Sequence, residues 1–74
     1  MKKLTESEKN FALYSVRVKA SASKCVYGYA DLQSIKINFI DGICSGLISA
    51  GFYYENSFVK ELHEAWENEP PFIK

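Results

Sequence analysis

Cysteine is scarce in this sequence: Cys25 and Cys44 are the only two, and they form no CxxC pair. Small secreted scaffolds of this length carry more staples, so a disulfide framework is not expected. Both thiols fall within apolar stripes and read as small buried hydrophobes. Histidine is scarcer still. His63-Glu64 begins like a zinc-protease H-E-x-x-H motif, but Glu67 stands where the second His belongs. Cys25, Cys44 and His63 share no ligand spacing, so neither a metal nor another cofactor is expected. The glycines at 28, 42, 46 and 51 build no phosphate-cradling loop. No Ser or Cys has a local base to activate it, and an enzyme is not expected.

A net excess of either charge is missing as well. Nine basic and nine acidic residues give a formal net charge of zero, which removes the general attraction to nucleic acid or anionic membrane. The charges are unevenly distributed. Residues 1–24 carry Lys2, Lys3, Lys9, Arg17, Lys19 and Lys24 against Glu6 and Glu8, and residues 52–74 carry five glutamates against Lys60 and Lys74. No apolar run is long enough to cross a bilayer: the longest uncharged stretch, Gly42 to Tyr54, is bracketed by Asp41 and Glu55. The opening MKKLTESEKN turns polar too soon for a signal peptide. The expectation is a cytoplasmic protein with no membrane partner.

What is present is a core in excess. Apolar residues make up 47% of the 74, with five Phe, five Tyr and Trp66. This is the composition of one small globular domain spanning 1–74, with more rings than so small an interior hides. Some are expected at the surface, where tyrosine and tryptophan mark binding sites.

Thr5 and Glu8 have the spacing of a capping box, which starts a helix at Glu6. A helix over roughly 6–26 places Phe11, Tyr14, Val18, Ala22 and Cys25 on one stripe, read as its buried face. The strict alternation from Tyr14 to Ser23 supports a competing β-hairpin with residues 25–30. A second helix, roughly 31–50, follows from the polar stripe Ser34, Asn38, Asp41, Ser45 and Ser49, with Asp31 as N-cap and Gly51 just past its end. Apolar around most of its circumference, it reads as a buried central helix. Gly42-x-x-x-Gly46 is read as a place where another helix crosses closely. In the third helix, roughly 56–68, Phe58, Leu62, Ala65 and Trp66 share a face, Asn56 or Ser57 can cap it, and Pro70-Pro71 ends it. The tail 70–74 is expected to fold back so that Phe72 and Ile73 cover an open end of the core. The fold class is therefore all-α, a three-helix bundle, with an α+β arrangement of an N-terminal hairpin on two helices as the alternative.

With no chemistry in its motifs, the chain reads as a non-enzymatic protein-binding module. It suits an accessory or inhibitor protein of a phage or other mobile element that occupies a partner's surface. The candidate partner-binding residues are Tyr27, Tyr29, Tyr53 and Tyr54 with Glu61 and Glu64, because tyrosines ringed by carboxylates suit a basic or mixed protein surface. The excess apolar circumference of the second helix also suggests a homodimer. The alternative is a small nucleic-acid-binding regulator using Arg17, Lys19 and Lys24. It is disfavoured by the zero net charge and by the lack of a helix-turn-helix presenting Arg, Asn or Gln to base edges.

Overall fold

The Thr5–Glu8 capping box forms as its spacing predicts. The Glu8 amide donates to Thr5 Oγ1 at 3.1 Å, and the Thr5 amide donates to Glu8 Oε1 at 2.8 Å. Those bonds to Thr5, backbone amide first, hold the Glu8 carboxyl below its ordinary range. From this start one unbroken helix, α1, runs Glu6–Lys24, so the hairpin alternative is overturned. The computed structural model describes residues 1–73, and Lys74, the end of the expected tail, lies outside them. Two further helices follow, α2 (Tyr29–Ser49) and α3 (Asn56–Asn68), and the three pack against one another as an all-α bundle.

Helix ends differ from expectation by small steps. Gly28, not Asp31, occupies the N-cap of α2, and Asp31 lies in the first turn, where its charge still suits the helix dipole. Glu55 rather than Asn56 or Ser57 is the N-cap of α3, and its side chain makes no capping bond. Gly51 takes the left-handed conformation just beyond α2 (φ 88°), and its amide donates to the Ile48 carbonyl at 3.0 Å. That turn delivers the chain into β2 (Phe52–Tyr53), which pairs in parallel with β1 (Lys2–Lys3). No pattern in the sequence announces this pair. Two residues per strand carry no periodicity, and the link ties the N-terminus to the α2–α3 connection.

The core consists of Leu4, then Ala12, Val16 and Ala20 of α1, Ile40 of α2, and Phe58, Leu62 and Trp66 of α3. Trp66 and Leu62 are buried as their periodicity predicts. The face of α1 is the principal correction. Its buried stripe is Ala12, Val16, Ala20 and Ser23, whereas the expected stripe Phe11, Tyr14, Val18, Ala22 and Cys25 is exposed. Small side chains on α1 let its backbone lie close to the large ones of α3, and three bulky α3 residues fill the space between them.

The second helix is less enclosed than its composition suggests. Ile40 is its one fully buried residue, while Leu32, Ile35, Phe39, Ile43, Cys44 and Leu47 are half-buried against the core. Two neighbours cover one side of it. Ile37 and Ile48 stay about half exposed, and the whole Ser34/Asn38/Asp41/Ser45/Ser49 stripe faces solvent. Nothing approaches within 4 Å of where a Cβ on Gly42 or Gly46 would lie, so no helix of this chain crosses there.

Two long-range polar contacts lock the helices. Lys24 Nζ donates to the carbonyls of Trp66 and Glu69, both at 2.6 Å, and reaches that of Glu67 at 3.4 Å. The last turn of α3 has no basic residue of its own, so α1 supplies the cation that its unpaired carbonyls favour. Lys36 of α2 meets Glu67 at 2.6 Å, and that hydrogen bond holds the Glu67 carboxyl below its usual range. The tail does fold back, with the Phe72 amide donating to the Ser21 carbonyl at 3.2 Å. It covers no core: Phe72 and Ile73 are both more than three-quarters exposed.

Candidate docking surface

The six residues expected to bind a partner do not form one patch. Tyr27 and Tyr29 flank the connection into α2, whereas Tyr53 and Tyr54 follow its far end, about 30 Å away at the rise of an α-helix. Tyr29 is strongly exposed and Tyr27 and Tyr53 are about half exposed. Tyr54 is half-buried, its ring 6.0 Å from that of Phe58. Its phenol is pushed above its ordinary range, first by a hydrogen bond to the Cys44 side chain and then by burial. Glu61 and Glu64 lie elsewhere again, lining a polar cleft of about 350 Å³ between α1 and α3 with Arg17, Asn68 and Glu69.

The alternative nucleic-acid contacts are dispersed in the same way. Arg17 lines that acidic cleft, Lys19 Nζ sits 5.9 Å from the centre of the Phe39 ring, and Lys24 is engaged by the end of α3. The three cations therefore present no common row to a phosphate backbone. Cys25 is exposed rather than buried, its Sγ accepting from the Ile73 amide at 3.2 Å, and Cys44 is half-buried. Among the described residues no three His, Cys, Asp or Glu side chains gather as a metal site, and no helix is long and apolar enough to cross a membrane.

A different surface stands out physically. Phe11 is 73% exposed, Tyr14 63% and Val18 50%, all on the side of α1 turned away from its buried Ala/Val stripe. Leaving such side chains in water forgoes on the order of 1.5–3 kcal/mol each relative to full burial. Beside them, the valley between α1 and α2 opens into two adjoining depressions that share Phe11 and Ser15. One, about 540 Å³, lies between Leu4, Ala12 and the Gly42/Gly46 side of α2, with Phe52 at one end. The other, about 400 Å³, runs along Val18 and Ala22 to Phe39. The walls are almost wholly apolar, and Glu8 and Lys19 are the only charged residues lining them. The two glycines expected at a helix crossing instead form part of an open wall.

This surface was half legible. The Phe11–Tyr14–Val18–Ala22 stripe is visible in the sequence, but its apolar character points to the interior. The rival Ala12–Val16–Ala20 stripe, at steps of four, was the signal that could have placed it outside.

No family model matches the chain, and neither a curated protein nor a solved structure matches it.

Proposed function

We propose that this chain is a non-enzymatic protein-binding module that docks partners through the apolar valley between α1 and α2. The observation that carries this reading is the exposure of Phe11, Tyr14 and Val18 on one helix face beside that valley. A contiguous apolar surface of this kind on a small protein normally marks an interaction site. Aromatic side chains near the middle of an interface dominate its energetics. With so few charges at the rim, affinity here rests on apolar burial and changes little with salt. The reading fits an accessory or inhibitor protein, of the kind mobile elements encode, that acts by occupying a partner's surface.

Photo-cross-linking inside the native cell tests it. A photoreactive residue at position 18 is expected to yield a discrete protein adduct, and one at position 60, on the exposed side of α3, none. Equal labelling from both positions, or no protein adduct from position 18, would end the proposal.

A further inference from the structure

We infer that the occupant of the α1–α2 valley is a second copy of this chain, with its α1 packed antiparallel against this one. The inference rests on the docking reading above and names its partner. Its first support is area. From their fractional exposure, Phe11, Tyr14 and Val18 offer on the order of 300–400 Å² per copy, and with the adjoining valley two copies approach the roughly 1,000 Å² in total that a specific interface needs.

The second support is self-complementarity. Along the exposed face of α1, Phe11, Ser15, Val18 and Ala22 fall at steps of four, three and four, the spacing of a helix–helix seam. Turned antiparallel about the midpoint of that stretch, each Phe11 meets Ala22 of the second copy and each Val18 meets its Ser15. Large opposes small at each of these pairs, and each Tyr14 falls beside Lys19 of the second copy. A parallel pairing would set Phe11 against Phe11 and Ser15 against Ser15, leaving bulk and gaps in alternation. The glycines at 42 and 46 keep the neighbouring wall low, so α2 does not obstruct the approach.

Charge is sparse where the copies would meet: Glu8 and Lys19, of opposite sign, are the only charged residues lining the valley. A small apolar ligand fits less well: the valley is an open trough, and among the described residues no buried polar side chain is left unpartnered to orient a guest. The antiparallel arrangement is isologous, so it closes at two copies and does not propagate.

Sedimentation velocity of the intact chain from micromolar to millimolar concentration tests the inference. The expected result is a concentration-dependent shift from 8.4 kDa to twice that mass. Val18→Glu should return the chain to monomer with its helical circular dichroism unchanged, and Ile37→Glu, an exposed site on the other side of α2, should leave the dimer intact. In a background of Cys25→Ser and Cys44→Ser, oxidation should cross-link the double variant Phe11→Cys with Ala22→Cys between chains, and Phe11→Cys alone should not cross-link. A strict monomer throughout the range would overturn the inference, as would a dimer that dissociates with Ile37→Glu and not with Val18→Glu. Efficient cross-linking of Phe11→Cys alone would overturn the antiparallel arrangement. A strict monomer that still yields an adduct from position 18 removes only the second copy as occupant, whereas no adduct of either kind removes the docking reading too.

Discussion

Helices α1 and α3 are built from similar materials and use them in opposite ways. In α3 the large side chains Phe58, Leu62 and Trp66 are all essentially buried, and its opposite side is acidic and polar. In α1 the large side chains Phe11 and Tyr14 point to solvent, and the residues turned inward are two alanines, a valine and a serine. A helix pair has a limited separation, and one partner's bulk sets how small the other must be. Trp66, Phe58 and Leu62 occupy the shared space, so α1 presents its Ala12–Val16–Ala20 side there. Its second apolar stripe is left over. A domain this small has only three helices to share its apolar surface among, and what remains uncovered is available to a partner.

Stability measurements can break that comparison. In dilute solution, Trp66→Ala should cost about 3–5 kcal/mol, enough to unfold a domain of this size. Phe11→Ala, a truncation of comparable chemistry, should shift stability by about 0.5 kcal/mol or less. Chemical denaturation of both variants reads this directly. A large loss from Phe11→Ala would mean that the α1 faces are assigned the wrong way round.

A smaller effect tests the contact by which α1 completes α3. Lys24→Met removes the ammonium from the three carbonyls at the end of α3 while keeping the aliphatic stem. It should cost about 2 kcal/mol, the scale of a charged hydrogen-bonded contact. Amide exchange should rise first in the last turn of α3. A loss spread evenly over the bundle would show that Lys24 does not act locally.

The smallest effect concerns acid. Glu8 and Glu67 both have carboxyl groups held below their unfolded values, Glu8 by its bonds to Thr5 and Glu67 by Lys36. Groups shifted in that direction stabilise the fold fully above the ordinary glutamate range, and the contribution fades as pH falls through their lowered values. Thermal midpoints should therefore drop on acidification below about pH 4.3, the unfolded glutamate value. Glu67→Gln should flatten part of that slope, only slightly because the Glu67 carboxylate is about half exposed. An unchanged acid slope in Glu67→Gln would show that the Lys36 contact does not persist in solution.

The elements that could be read from the sequence were those whose signals are local. Thr5 and Glu8 need only each other to form a cap, Pro70-Pro71 ends α3 by its own ring chemistry, and Gly51 tolerates the positive φ beyond α2. The single clean stripe of α3 left one way to pack it. The polar stripe of α2 was equally legible as a solvent face, although the excess of Ile and Leu around it suggested more enclosure than two neighbours provide. Of the candidate site, the tyrosines suit an interface by residue type alone, and the length of α2 sets the two pairs at opposite ends.

The amino-acid sequence alone determined that this chain makes three helices, where each begins and ends to within a few residues, and that Leu62 and Trp66 go inside. Capping, helical periodicity and helix breaking all act over a few residues and are written into neighbouring positions. The tertiary structure alone decided which of two apolar stripes on α1 is buried, that Lys24 finishes the end of α3, and that the Gly42–Gly46 wall stays open. Those outcomes depend on the volume of side chains some forty residues away, which no local pattern contains.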